Sequence, residues 1–204
     1  MKKLFLASYF KETVKRFAAF EPNTSGKTIT FIPTASNVED IVFYVAEARQ
    51  EFKKLGLVVD ELDLSTATTA EISAKLRHND FIYVSGGNTF YLLQELKRTG
   101  ADQLIVDQVN SGKLYIGESA GAIVASPSVA YAQEMDSREN SPALNDLTGL
   151  GLVNFYTVPH HTNPPFTEAA QKIIDAFSST LPLIPLSNSD AILITNDEVS
   201  IERS

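Results

Sequence analysis

The chain has 204 residues, of which 44% are apolar and 21% charged, and its formal net charge is −8. These values predict one globular domain, residues 1–204, and argue against nucleic acid or a membrane surface as a partner, because both attract basic surfaces. The absence of cysteine excludes disulfides, a cysteine nucleophile and thiolate-bound metals.

Short apolar runs alternate with helical patterns along the chain. The first run is too short for the apolar core of a signal peptide, and none approaches the roughly 20 residues of a membrane span. We therefore expect a cytoplasmic protein. The runs are mostly continuous, which is typical of strands covered on both faces. The predicted strands are Leu4 to Ala7, Ile29 to Ile32, Leu57 to Leu64, Phe81 to Val84, Leu114 to Ile116, Phe155 to Val158, Leu183 to Leu186 and Ala191 to Thr195.

Helices are predicted between these strands. The clearest carries an apolar face from Ile41 to Leu55, with a capping box at Ser36 to Glu39 and a stop at Gly56. The others are Phe90 to Thr99, Ala101 to Ser111 and Thr167 to Phe177. This alternation predicts an α/β fold with a three-layer, doubly wound, mostly parallel sheet, whose ligands bind at the carboxyl ends of the strands.

One strand runs into the pattern Gly117-x-Ser119-x-Gly121 and then into a helix start of small residues. This is the pattern of a nucleophile elbow, in which a tight turn between strand and helix exposes a serine hydroxyl. The backbone N–H groups that follow Ser119 can face a developing oxyanion. The alternative is a tight turn with a structural role only.

A second strand is followed by the turn Gly86-Gly87-Asn88. Two glycines in series can direct backbone N–H groups into a shared hollow, which favours an oxyanion hole beside the serine elbow. The alternatives are a plain strand-to-helix turn and a phosphate cradle, but the spacing fits neither a P-loop nor a dinucleotide fingerprint.

Two of the three histidines, His160 and His161, follow the predicted strand that ends at Val158. A neutral imidazole is the usual base for a serine nucleophile. Adjacent residues of an extended segment point in opposite directions, so a shared metal is disfavoured and no metal or cofactor is predicted. The third, His78, is expected in a solvated turn.

These three segments together resemble the serine-peptidase family that includes aspartyl dipeptidase (dipeptidase E) and, more distantly, cyanophycinase. The resemblance extends over nearly the whole chain. The matching segments are Gly86 to Phe90, Tyr115 to Ala122 and Pro159 to Asn163.

The resemblance implies a sheet like that of flavodoxin or of class I glutamine amidotransferases, and peptide hydrolysis through a serine acyl-enzyme. It implies Ser119 as nucleophile and His160, rather than His161, as base. It implies the backbone N–H groups of Gly87 and Ala120 as oxyanion-hole donors.

The third member of the implied triad is ambiguous. Where the family carries a carboxylate after a late strand, an ungapped match places Asn188, which orients an imidazole but cannot stabilise imidazolium by charge. Asp190 becomes the candidate if the turn is shifted. Glu134, in the region after the elbow, is the third.

The expected specificity differs from that of aspartyl dipeptidase. No Arg or Lys lies between His161 and Lys172, where a group holding an aspartyl side chain would be sought. Glu118 adjoins the nucleophile and would repel an acidic substrate if it faced the pocket; otherwise it is a solvated residue. With Gly86 and Asn88, it completes the predicted substrate-binding residues.

The leading hypothesis is a serine peptidase acting on short peptides, without strict preference for N-terminal aspartate. One alternative is an esterase or amidase of the α/β-hydrolase kind, whose acid would be Glu134, Asp136 or Asp146. Another is a catalytically impaired relative that binds a peptide or another small molecule. A homodimer is compatible with an exposed sheet edge or apolar helix face.

Overall fold

The computed structural model describes residues 2–203. Its strands are β1 Lys3–Ala7, β2 Thr28–Ile32, β3 Val58–Glu61, β4 Phe81–Val84, β5 Leu114–Glu118, β6 Tyr156–Val158, β7 Leu183–Pro185, β8 Ala191–Thr195 and β9 Glu198–Glu202. The main sheet has the order β3-β2-β4-β5-β1-β8-β9. Its first five strands are parallel, whereas β8 and β9 are added antiparallel. Strands β6 and β7 form a separate two-stranded parallel sheet.

Helices cover both faces of the main sheet. They are α1 Phe10–Phe20, α2 Phe43–Lys54, α3 Thr69–His78, α4 Thr89–Thr99, α5 Ala101–Asn110, α6 Ala120–Ile123 and α7 Thr167–Phe177. The core under α1 and α2 is rich in phenylalanine, and a larger core lies under the remaining helices. The predicted three-layer, mostly parallel α/β fold is confirmed. No helix in the part of the chain that the structure describes has the length and hydropathy to cross a membrane.

Several element boundaries differ from the predictions. Helices α1 and α3 and strand β9 were not predicted, and His78 ends α3 instead of lying in a turn. The predicted capping box is wrong: residues Thr34–Val38 form a 3-10 turn, in which the Ser36 hydroxyl donates to the carbonyl of Pro33. Helix α2 therefore begins at Phe43, and Ile41 is 67% exposed.

Candidate active site

Ser119 lies at the carboxyl end of β5, between the strand and α6. Its backbone has φ 47° and ψ −106°, a conformation that a residue with a side chain rarely adopts. A Cβ atom at Gly117 would lie 2.5 Å from the carbonyl oxygen of Gly121, and one at Gly121 would lie 2.2 Å from that of Val84. Both positions therefore need glycine. The close approach of strand and helix presents the Ser119 hydroxyl at the edge of the sheet.

Ser119, His160 and Asn188 form a hydrogen-bonded series. The Ser119 Oγ lies 2.9 Å from His160 Nε2, and His160 Nδ1 lies 2.7 Å from Asn188 Oδ1. Because Oδ1 only accepts, Nδ1 carries the proton and Nε2 presents its lone pair to the serine hydroxyl. This tautomer is the one that a general base needs.

Burial keeps the imidazole uncharged. Desolvation lowers the pKa of His160 below its usual value, and the hydrogen bond to Asn188 opposes this shift only in part. The Phe166 ring stacks on the imidazole, with ring centroids 4.8 Å apart. At neutral pH the base is therefore in the form that accepts a proton.

The histidine turn is held by a residue that the sequence analysis missed. His160 has φ 59°, and its backbone N–H donates to the hydroxyl of Ser8 over 3.1 Å. The same hydroxyl donates to the carbonyl of Leu186, also over 3.1 Å. Ser8 is 1% exposed and directly follows β1. A polar residue at the carboxyl end of a buried strand is the signal that could have identified it.

The three candidates for the third member of the triad have different surroundings. Asn188 contacts His160, and its backbone N–H donates to Oδ1 of Asn163 over 2.8 Å. Asp190 closes the same turn by accepting from the N–H of Ser187, and it lies 3.5 Å from Arg203. Glu134 is exposed at the end of a 3-10 turn. The ungapped match at Asn188 therefore corresponds to the observed contact.

The glycine turn after β4 lies against the nucleophile. Gly87 has φ 129°, and a Cβ atom there would lie 2.3 Å from the backbone of Ala35. A Cβ atom at Gly86 would lie 3.2 Å from that of Ser119. Within residues 2–203, the backbone N–H groups of Gly87 and Ala120 have no protein acceptor.

The side chain of Asn88, a predicted substrate-binding residue, forms hydrogen bonds within the protein. Its Oδ1 caps α4 by accepting from the N–H groups of Phe90 and Tyr91, at 3.1 and 2.9 Å, and its amide donates to the carbonyl of Ser137. The side chain is 3% exposed. Asn88 is therefore committed to holding α4 and the segment after the elbow.

The reading of Glu118 as a solvated residue is wrong, because its side chain is buried and both carboxyl oxygens accept hydrogen bonds within the protein. The residue is 1% exposed, and its Oε1 accepts from the backbone N–H of Phe10 over 2.9 Å. Its Oε2 accepts from the hydroxyl of Tyr83. Burial raises the pKa of Glu118 to about 7, against the opposing effect of these two hydrogen bonds.

Tyr44 lies beside the glycine turn that contacts Ser119, and three carboxylates lie near its hydroxyl. Cε2 of Tyr44 would lie 3.5 Å from a Cβ atom at Gly86. Burial and the nearby carboxylates of Glu39, Glu118 and Asp136 raise the pKa of the Tyr44 hydroxyl. Burial also raises the pKa of Asp136 to about 6.

A serine hydroxyl paired with an imidazole at the strand ends of a doubly wound sheet defines the class of α/β serine hydrolases. The sequence profile of Peptidase family S51 matches residues 4–202. The chain therefore belongs to Peptidase family S51, and it is a serine peptidase. The predicted relationship to dipeptidase E and cyanophycinase is confirmed.

Similar proteins agree with this assignment. An uncharacterized peptidase of Pasteurella multocida is 58% identical over 97% of this chain and 95% of its own length. A peptidase E of Nostoc is 33% identical over 76% of this chain and 59% of its own length. The crystal structure of a candidate peptidase E from Listeria monocytogenes has a TM-score of 0.97 at 53% identity, covering 100% of this chain and 99% of its own.

Proposed function

We propose that this peptidase hydrolyses short peptides through an acyl-enzyme on Ser119, with His160 as general base. The 2.9 Å contact between Ser119 Oγ and His160 Nε2 carries the proposal. In the proposed mechanism the imidazole accepts the hydroxyl proton while Oγ forms a bond to the scissile carbonyl carbon. The imidazolium then donates this proton to the leaving amine as the scissile C–N bond breaks. The imidazole next deprotonates the water that attacks the acyl carbon, and it returns the proton to Ser119 Oγ as the acid is released.

The oxyanion is assigned to the backbone N–H groups of Gly87 and Ala120. Both donors lie beside the nucleophile: Gly87 is in the turn against Ser119, and Ala120 is the residue after it. Neither N–H group has a protein acceptor within residues 2–203. Preorganised donors of this kind stabilise the tetrahedral intermediate by about 3–4 kcal/mol each.

Asn188 is assigned the orienting role that a carboxylate has in many triads. Its Oδ1 fixes the imidazole tautomer, which is the larger part of what the third residue does when the geometry is intact. Its neutral amide gives no charge stabilisation to imidazolium. We therefore expect a slower acylation step than in a triad that contains a carboxylate.

Substrates with a neutral or basic N-terminal residue are favoured over those with aspartate. The carboxylates of Glu39 and Asp136 lie near Tyr44, which is beside the Gly86 turn, and like charges across an interface oppose binding. A protonated α-amino group has the charge that complements these carboxylates.

We also propose a cytoplasmic location. The absence of cysteine from the chain is in keeping with activity in the reducing cytoplasm.

The nucleophile is tested with a fluorophosphonate probe and mass spectrometry of the labelled peptide. We expect an adduct on Ser119, and loss of labelling in Ser119→Ala with an unchanged circular dichroism spectrum. Ser73→Ala, which removes a hydroxyl from α3, is the matched control and should label like the unaltered protein. Labelling that persists in Ser119→Ala would contradict the proposal.

The specificity is tested with dipeptides that differ only in the N-terminal residue, aspartate against alanine or lysine. We expect kcat/KM for the aspartyl substrate to be the lowest of the three. A preference of more than about tenfold for aspartate, or 1.4 kcal/mol, would contradict the proposed specificity without affecting the assignment of Ser119.

The neutral Asn188 also supports a second candidate function, a catalytically impaired relative that binds peptides. A broad dipeptide library separates the two proposals. Turnover of any member supports the enzyme, whereas saturable binding by calorimetry without turnover supports the binding protein.

A further inference from the structure

Glu118 is a buried carboxyl group that the proposed mechanism does not use. It ends β5, next in sequence to Ser119, and its side chain lies on the face of the sheet that packs against α1 and α2. Residues of a strand alternate between the two faces, so Glu118 shares its face with Ile116 and Leu114. The carboxyl therefore lies in the core under α1 and α2.

The carboxyl group connects three elements of the fold. Its contact with the N–H of Phe10 caps the first turn of α1, where Tyr9 provides no side-chain cap. Its contact with the hydroxyl of Tyr83 reaches β4. Tyr83 is fully buried and packs against the rings of Phe10 and Phe52.

These contacts take the place of an ion pair. Among the described residues, no Lys or Arg side chain forms a salt bridge with Glu118, and the charge of Glu47 disfavours its ionised form. A buried carboxyl group without a cation is costly, because its desolvation is not offset by a counter-charge. Such groups persist where they have a structural or catalytic use.

We propose that Glu118 is a positioning residue for the nucleophile: its carboxyl fixes the end of β5 to α1 and Tyr83, and so holds Ser119 in its strained conformation. This inference rests on the proposed role of Ser119. The peptide bond that follows Glu118 is the one that enters the residue with φ 47°. A displacement of about 1 Å at a reacting group can reduce a rate about a hundredfold, so this anchor affects the chemical step.

The test compares Glu118→Ala, Glu118→Gln and Tyr83→Phe below the Tm of every variant. Glutamine keeps an oxygen for the Phe10 N–H and offers an N–H to Tyr83, whereas alanine loses both contacts. We expect Glu118→Ala to reduce kcat and the rate of fluorophosphonate labelling about tenfold or more, with KM within about twofold. Glu118→Gln should restore kcat and the labelling rate to within about threefold of the unaltered protein. The two rates of Tyr83→Phe should lie between those of Glu118→Ala and Glu118→Gln.

Glu95→Gln is the matched control, because Glu95 is a buried glutamate on α4 that pairs with Arg98. It should leave kcat unchanged. A folded Glu118→Ala that labels at the unaltered rate would overturn the proposal, as would a Glu118→Gln no faster than Glu118→Ala. If Glu118→Ala does not fold, unaltered labelling by Tyr83→Phe overturns it. Failure of the proposed function is distinguished by a separate result, which is labelling that persists in Ser119→Ala.

Discussion

Ser119 lies at the end of a central strand of the seven-stranded sheet, whereas His160 lies in a turn after a strand of the small two-stranded sheet. The neighbours of Ser119 in β5 and α6 are buried on both faces. The histidine turn is half-exposed and is held mainly by hydrogen bonds to Ser8, Asn188 and Leu186.

The two halves of the site are therefore fixed by different physical means. Steric exclusion is the main constraint on the nucleophile, because the elbow has no space for a side chain at its glycines, and the proposed Glu118 contacts add to it. Directional polar contacts fix the base, and each is worth on the order of 1 kcal/mol. Substitutions in the first region should damage folding and activity together, whereas those in the second should change activity with a smaller loss of stability.

The largest effect on catalysis is expected for Gly121→Ala. The added methyl group would lie 2.2 Å from the Val84 carbonyl oxygen, and overpacking of this kind costs about 3 kcal/mol or more. Thermal unfolding should show a Tm lower by about 6–12 °C, with loss of labelling. The control is Gly151→Ala, where φ is 60° but the space is open, so about 1 kcal/mol is expected. Equal losses of Tm and labelling in the two variants would contradict the steric explanation.

The next largest effect is expected at Asn188. Removing a hydrogen bond to a group that becomes charged costs about 1.5–3 kcal/mol, so Asn188→Ala should reduce kcat about tenfold to a hundredfold. Tm should change little, because the residue is half-exposed. Steady-state kinetics and calorimetry measure the two effects, and an unaltered kcat would show that the contact is not used in catalysis.

Asn188→Asp sharpens the same comparison through pH. In the unaltered protein, burial lowers the pKa of His160, so activity should be lost only as pH falls below about 6.5. An aspartate favours imidazolium and raises that pKa, so the loss should occur at higher pH. Asp190→Asn in the same turn is the control and should leave the acid limb of the kcat/KM profile unchanged. An unchanged acid limb in Asn188→Asp would contradict the assignment of His160 as the base.

A smaller effect is expected for Ser8→Ala, which leaves the His160 N–H without its acceptor and removes one of the two donors to the Leu186 carbonyl. We expect kcat to fall about tenfold and the free energy of unfolding to fall by about 1–2 kcal/mol. Thr157→Val is the control, since its buried hydroxyl has no partner among residues 2–203 and its loss should be neutral. Activity that is equal in the two variants would remove Ser8 from the support of the base.

The smallest effect on catalysis is expected for Glu118→Gln, which instead changes how stability depends on pH. Burial raises the pKa of Glu118 from 4.5 to about 7, so the folded protein binds a proton that the unfolded chain has released between these values. Relative to Glu118→Gln, stability should fall by up to about 3 kcal/mol as pH rises from about 4.5 to 7. Urea unfolding of both proteins at several pH values measures this, and parallel profiles would contradict it.

Sequence patterns predicted the features that depend on local chemistry. The strands with continuous apolar runs, the elbow glycines and the paired histidines all carry such signals. Strand β9 was missed because Glu198–Glu202 is an exposed edge strand with two alternating apolar residues instead of a continuous apolar run. Helix α2 was extended too far because Ile41 continues its apolar spacing, although the side chain is exposed.

Two features that depend on tertiary geometry were not predicted from the sequence patterns. The choice between Asn188 and Asp190 depends on the course of one turn, which residue types do not determine. The buried position of Glu118 could have been inferred from strand alternation with Ile116 and Leu114, but the general rule that carboxylates are exposed favoured solvent.

Strand β1 lies between β5 and β8, so a segment near residue 5 is joined to partners more than 100 residues later in the chain. Its end accepts the Ser119 N–H at Ala7 and the His160 N–H at Ser8. Such long-range pairing slows folding, since large loops must close before the contacts form. Hydrolytic activity should therefore return late in refolding, after secondary structure, and it can serve as a reporter of the completed central sheet.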